Sequence, residues 1–161
     1  MFGFFKKKEE IHSLKAPVSG KAVPITEVPD PVFAEGLLGD GIGIWPDEGQ
    51  AVAPADGVVT VAPEDSQHAC GLRLANGMEL LIHVGLDTVG LGGKGLELKV
   101  RAGQKVKAGD VLITFDSQVL KAEGCQDAVM LVVTEKPEGM SVEFHSGIQV
   151  NAGETIVAEL G

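Results

Sequence analysis

Two histidines and a cysteine are gathered around one short turn signal in the sequence. His68 and Cys70 precede Asn76-Gly77 and His83 follows it, with apolar runs on both sides. Asn-Gly readily adopts positive φ at both central positions of a tight turn. The segment therefore predicts a β-hairpin that carries the three side chains.

Symmetric pairing about the predicted turn sets which of these side chains can meet. It places His83 opposite Cys70 and His68 opposite Gly85, so that the two histidines are diagonal neighbours on one face. Diagonal Cβ atoms lie about 7–8 Å apart, which lets two imidazoles contact one small group. Imidazole titrates near neutral pH, acts as a nucleophile and binds metals. The pair indicates phosphohistidine chemistry or a shared metal ion, with hydrogen-bonded structural histidines as the alternative.

The metal reading would use Cys70 as a third ligand beside the two histidines, as in a zinc-dependent hydrolase. A buried free cysteine more often serves as a small hydrophobe, and the sequence offers no clear general base. Cys70 and Cys125 are the only cysteines and form no CxxC motif, which excludes a disulfide framework and a zinc ribbon.

Length and charge narrow the class of protein. A chain of 161 residues favours one domain with a real core. With a net charge of −10, the chain lacks the excess of basic residues that a nucleic-acid-binding protein needs. An acidic chain is suited to binding basic protein partners. No apolar run reaches membrane-spanning length, and the first residues make a poor signal peptide, so we expect a cytoplasmic protein.

Turn signals recur every several residues between short apolar runs rich in β-branched residues. This predicts an all-β fold, an antiparallel β-sandwich or barrel. Residues 16–23 echo 53–59, and 103–113 echo 147–157, which indicates weak internal duplication. Asp116-Ser117 can cap a helix of a turn or two, so we expect at most short helical turns.

The predicted domain runs from residue 14 to 161, after an N-terminal arm of residues 1–13. Phenylalanines and lysines within residues 1–8 are suited to weak contact with an anionic membrane surface, and a disordered start is the alternative. We expect a free-standing protein without an adjoining domain.

Three segments of the chain resemble one known family. Gly77–Val89 resembles the active-site signature of the glucose-type enzyme IIA of the bacterial phosphoenolpyruvate-dependent sugar phosphotransferase system, and His68 precedes it at the family's spacing. Residues 28–35 with 39–44, and residues 94–96 with 103–110, resemble further blocks of that family. The resemblance covers the chain from about residue 14 to its C-terminus.

The resemblance implies a phosphotransferase without a cofactor. His83 matches the histidine that accepts a phosphoryl group from phospho-HPr and passes it to the cysteine of an enzyme IIB, the partner domain of the IIC sugar permease. His68 matches the second histidine, which would donate a hydrogen bond to the phosphoryl group. Relatives can also share a zinc ion between these two rings and a carboxylate of a bound partner, so we expect no intrinsic metal site.

The residues around the two rings have expected supporting roles. Ser66 falls where the family often places a hydroxyl that orients a histidine, with a plain turn serine as the alternative. Asp87 would steady a ring nitrogen or accept a partner's arginine, and backbone N–H groups near Gly85 would face the phosphoryl oxygens. Thr88 is expected to be structural.

A partner-docking segment is expected at residues 29–33. Val32 and Phe33 match the family's docking residues, although Phe33 alone would be read as a core residue. The resemblance favours a position for Phe33 at the rim of the site. Asp30 would add acidic charge for a basic partner.

Two further functions compete with the phosphocarrier. The first is a regulatory binding protein whose phosphorylation state controls docking to other proteins. The second is a lipoyl or biotinyl carrier, which shares the Gly-x-x-Val-x-x-Gly-Asp turn but needs a lysine at a hairpin tip that this chain lacks.

Overall fold

A computed structural model describes residues 11–161 of the chain. Within that range lie fourteen short strands, two short α-helices and two 3-10 helices. The α-helices are α1 (Pro31–Ala34) and α2 (Ser117–Ala122), and the 3-10 helices are Ile25–Glu27 and Thr88–Leu91. The strands are β1 (Ser13–Lys15), β2 (Gly20–Pro24), β3 (Asp40–Pro46), β4 (Gln50–Val52), β5 (Gly57–Val61), β6 (Ala69–Arg73), β7 (Glu79–Val84), β8 (Leu96–Leu98), β9 (Lys105–Val106), β10 (Val111–Phe115), β11 (Val129–Glu135), β12 (Val142–Phe144), β13 (Gln149–Val150) and β14 (Ile156–Leu160).

The strands form three antiparallel sheets, which confirms the predicted all-β class. The large sheet has the order β13-β2-β3-β11-β7-β6-β5-β9, and the two small ones have the orders β1-β14-β12 and β4-β10-β8. No described helix is long and apolar enough to cross a membrane.

The sequence repeats occupy equivalent places in this topology. In one half β13 pairs with β2 and β14 pairs with β1; in the other β9 pairs with β5 and β10 pairs with β4. The two-residue strands β9 and β13 are thus the two edges of the large sheet. The weak internal duplication is therefore a property of the fold.

The large sheet carries an apolar cluster on each face. Along β7 the burial alternates, with Leu80, Ile82 and Val84 in the main core. Each such side chain stabilises the fold by about 1.5–3 kcal/mol relative to exposure. His83 belongs to the opposite set of β7 side chains. On that side the segment before β3 covers part of the sheet with a smaller cluster: Ile25, Val28, Phe33, Leu86, Ala128, Met130 and Val132.

The hairpin β6–β7 exists, but its predicted register is wrong by one residue. Ala69, and not Cys70, lies opposite His83. The N–H of Leu74 donates to the Met78 carbonyl at 2.9 Å, and Gly77 has a φ of +91°. The loop therefore has three residues and ends in a left-handed glycine, a geometry that Asn-Gly also supports.

This register moves Cys70 away from the histidines. Cys70 lies opposite Ile82, is fully buried in the main core, and has its thiol pKa raised to about 12 by burial. Because opposite residues share a face and successive residues of a strand do not, Cys70 and His83 point to opposite sides of the sheet. The fold thus excludes the alternative ligand set of two histidines and Cys70, and Cys70 is the small buried hydrophobe that the sequence favoured.

The sequence signals for the two α-helices had different outcomes. The Asp116 carboxylate accepts from the N–H groups of Gln118 and Val119, which caps α2 as predicted. Helix α1 was not predicted, although Asp30 followed by a proline is a helix-start signature. Here the Asp30 carboxylate accepts from the Val32 N–H at 2.9 Å.

The predicted start of the domain lies near the start of the described range. Strand β1 begins at Ser13, one residue before the predicted start of the domain. The first ten residues of the predicted arm, and with them the predicted membrane contact of residues 1–8, lie outside the described residues.

Candidate active site at the two histidines

The rings of His68 and His83 are in contact. Their centroids are 4.8 Å apart and their planes cross at 84°. His83 sits on β7, next to Met130 of β11 and opposite Ala69 of β6. His68 immediately precedes β6, where its carbonyl accepts from the Val84 N–H at 2.8 Å. The structure thus brings the two rings together, although not through the register predicted.

The His83 ring is held in a mostly apolar, partly covered position. Phe33 meets it edge-on, with 4.9 Å between centroids and 65° between planes. Its Nδ1 is buried and without a hydrogen-bond partner, whereas Nε2 is not fully buried. Nε2 is therefore the ring nitrogen that keeps access to solvent.

Burial keeps the His83 ring neutral at physiological pH. It is the main reason that the pKa of His83 falls to about 4, and the neighbouring His68 lowers it further. The Gly85 backbone and the Asp30 carboxylate raise the pKa by smaller amounts. A neutral imidazole has a free lone pair and is a competent nucleophile without a separate base.

Ser66 and His68 form a hydrogen-bonded pair. The Ser66 hydroxyl lies 2.7 Å from Nδ1 of His68, and the residue is only 8% exposed. Burial also lowers the pKa of His68. The buried hydroxyl fixes one ring nitrogen of His68 and leaves Nε2 for a ligand.

Gly85 shapes the turn that follows His83. Its φ is +79°, and a Cβ added there would lie 2.4 Å from the Thr88 methyl carbon. Its N–H donates to the Ala128 carbonyl, and the Leu86 N–H donates to the Gln126 carbonyl. These two N–H groups are therefore already used within the fold, and the expected contact of other backbone N–H groups near Gly85 with a phosphoryl group stays a prediction.

Asp87 and Thr88 behave differently from each other. Asp87 is exposed, has a φ of +63°, and makes no hydrogen bond to either ring within the described residues, so its expected steadying of a ring nitrogen is wrong. Acceptance of a partner's arginine by Asp87 stays a prediction. Thr88 is fully buried and its hydroxyl donates to the Val84 carbonyl, which is a structural role.

The predicted docking residues divide into buried and exposed ones. Phe33 is only 4% exposed, so its predicted rim position is wrong; α1 turns its ring inward against His83. Val32 on the same helix is 42% exposed. Sequence reasoning missed three more exposed apolar side chains on the segments that flank the rings: Leu37, Leu38 and Val89.

A metal ion bound by His68 and His83 would need at least one further ligand from a partner. Within residues 11–161 no three histidine, cysteine or acidic side chains come together in a metal-binding group. His68 and His83 would be two ligands only. The partner-completed zinc ion stays a prediction.

The fold and the paired rings define an all-β protein with a histidine site suited to phosphoryl transfer. The family model described as phosphoenolpyruvate-dependent sugar phosphotransferase system, EIIA 1, matches residues 12–139. The chain belongs to this family. Like its other members, it is a phosphotransferase that carries phosphoryl groups between proteins in sugar uptake.

Individual relatives agree with this assignment. A glucose-specific EIIA component of Staphylococcus epidermidis is 39% identical over 161 residues, which cover 99% of this chain and 96% of that protein. A mannose-specific EIIBCA component of Corynebacterium glutamicum is 43% identical over 148 residues, but the chain spans 22% of its length. The structure of glucose permease IIA from Mycoplasma capricolum matches with a TM-score of 0.82 and 35% identity, over 99% of both chains.

Proposed function

We propose that His83 is the phosphorylated residue, taking a phosphoryl group from phospho-HPr and passing it to the cysteine of an enzyme IIB. The observation that carries this role is the state of the His83 ring, neutral and with Nε2 as its solvent-accessible nitrogen. The Nε2 lone pair attacks phosphorus as the bond to the donor breaks. In the second step the IIB thiolate attacks, the N–P bond breaks, and His83 recovers its lone pair.

His68 and Ser66 would assist the passing phosphoryl group. When the Ser66 hydroxyl donates to Nδ1 of His68, the proton of the neutral ring lies on Nε2. That N–H is then a hydrogen-bond donor for a phosphoryl oxygen on the adjacent His83. Such a fixed donor stabilises charge that spreads over the oxygens in the transition state.

Partner docking would use the exposed apolar side chains near the rings. Val32 and Val89, which is 58% exposed, lie on the two segments beside them. The net charge of −10 favours a basic HPr or IIB surface. We place the reaction in the cytoplasm, with an enzyme IIB/IIC sugar permease as acceptor.

Intact-mass analysis tests this function directly. Incubation with phosphoenolpyruvate, enzyme I and HPr should add one phosphate that is stable in mild alkali and lost in acid. His83→Ala should abolish the added mass. His145→Ala is the matched control, because His145 directly follows β12, its ring contacts Glu159 of the separate small sheet, and its loss should leave labelling intact. Full labelling of His83→Ala would overturn the assignment.

A regulatory role is the second candidate, favoured by the exposed Val32 and Val89 beside His83. A phosphoryl group of about −2 charge on this surface would oppose docking of an apolar partner surface. The test compares binding of candidate protein targets to phosphorylated and unphosphorylated chain. Equal affinity for both forms would remove this candidate.

A further inference from the structure

Gln67, between Ser66 and His68, has an unusual backbone conformation. Its φ is +52°, and it is one of two non-glycine residues with positive φ within residues 11–161. Its N–H donates to the Pro63 carbonyl at 2.9 Å, so it ends a helical turn where glycine is the usual residue. A non-glycine residue is disfavoured in this conformation, so we expect contacts of its side chain to stabilise it.

The Gln67 amide is anchored to a distant part of the chain. Its Oε1 accepts from the Leu98 N–H at 2.9 Å, a partly buried bond across 31 residues. Its Nε2 lies 2.9 Å from where a Cβ would stand on Gly93, so the amide packs closely against that backbone. Gln67 is therefore held both by its own turn and by the segment that leads into β8.

Regular strand geometry would not aim His68 at His83. The His68 carbonyl accepts from the Val84 N–H, and continuation of the β6–β7 register places His68 opposite Val84. Opposite residues share a face, and the Val84 side chain points into the main core. The His68 ring instead contacts His83, on the other face. The alternation is broken at the residue that follows Gln67.

We propose that Gln67 is a positioning residue that aims the His68 ring at His83. The direction of the His68 side chain depends on where its backbone nitrogen lies, and the conformation of Gln67 sets that position. The bond to Leu98 holds the conformation against its intrinsic cost. This inference deepens the proposed function, because Gln67 acts only through His68 and makes no contact with the phosphoryl group.

Two variants separate the conformation of Gln67 from its amide contact. Gln67→Gly keeps access to positive φ and loses the amide; Gln67→Val loses both, since a β-branched residue strongly disfavours that region. Gln104→Gly is the matched control, because the Gln104 side chain also accepts from a backbone N–H, that of Arg101, in the loop before edge strand β9.

The readouts are the two transfer steps and the His68 ring itself. We expect Gln67→Val to lower onward transfer to IIB by at least about tenfold and Gln67→Gly by about threefold, because small displacements of a reacting group are costly. In both variants, the rate at which His83 accepts the phosphoryl group should change less than the rate of onward transfer. The ¹⁵N signals of His68 should lose the signature of the Ser66 hydrogen bond in Gln67→Val and keep it in Gln104→Gly.

The outcomes distinguish this inference from the proposed function beneath it. Unchanged His68 ¹⁵N signals in Gln67→Val, with the protein folded, would overturn the positioning role whatever the kinetics. Altered signals with unchanged onward transfer would keep the positioning role and refute the proposed part of His68 in transfer. Equal losses of both transfer steps in Gln67→Val and Gln104→Gly would show general destabilisation and overturn the inference.

Discussion

The ring of Phe33 lies edge-on against the ring of His83, with 4.9 Å between their centroids. Through this contact, the smaller apolar cluster that includes Phe33 packs against the ring whose nitrogen is proposed to react. Phe33 is part of the reason that His83 is buried, and burial is the largest cause of the low pKa of His83.

Phe33→Ala should raise the pKa of His83 from about 4 towards its ordinary value of 6.5, because water would reach the ring. The same change should cost about 3–5 kcal/mol of stability, as for other buried phenylalanines. An NMR titration of His83 measures the first effect and urea unfolding the second. Phe144→Ala, in the separate β12 strand, should destabilise without moving the His83 pKa. An unchanged pKa in Phe33→Ala would contradict this account.

The stability of the protein should fall with falling pH because of His83. Its pKa is about 4 in the folded protein against the ordinary value of 6.5, so between these values the unfolded chain binds the extra proton. No such penalty exists above pH 6.5, and it grows as the pH falls towards 4, to about 3 kcal/mol. Unfolding curves of the wild type and His83→Gln between about pH 7 and pH 4 measure it. Parallel pH dependences would show that His83 is not the cause.

Gly85→Ala should disrupt the turn after His83. The added Cβ meets the Thr88 methyl carbon at 2.4 Å, and the φ of +79° strains any alanine. We expect a loss of more than about 1 kcal/mol, together with slower phosphorylation. Gly90→Ala is a close control, because no atom lies within 4 Å of its added Cβ and its φ is not positive. Equal stability of the two variants would refute the steric argument.

The sequence predicted the type of fold better than its registers. Alternating apolar runs and turn residues determine the all-β class, and the Asp116 cap determines α2. Asn76-Gly77 fits both a two-residue turn and a three-residue loop with a left-handed glycine, and only tertiary packing decides between them. The sequence therefore could not settle the side of the sheet on which Cys70 lies.

The sequence predicted the features of the site that depend on residue type. It did not predict those that depend on an unusual backbone conformation. His68, His83 and Ser66 were identified by spacing and resemblance. The residue type at position 67 does not predict a positive φ, since glutamine has no preference for that conformation. The inward turn of Phe33 depends on α1, which the Asp30-Pro31 pair could have revealed.

Cys70→Ser separates the observed register from the predicted one. In the observed register the serine hydroxyl is buried in the main core, on the face away from the histidines, so the variant should lose about 1–3 kcal/mol of stability. Phosphorylation at His83 and onward transfer should be unchanged in the folded variant. Ser66→Ala, by contrast, should slow onward transfer, because Nδ1 of His68 loses its hydrogen-bond partner. Loss of phosphorylation in folded Cys70→Ser would instead place Cys70 beside the rings.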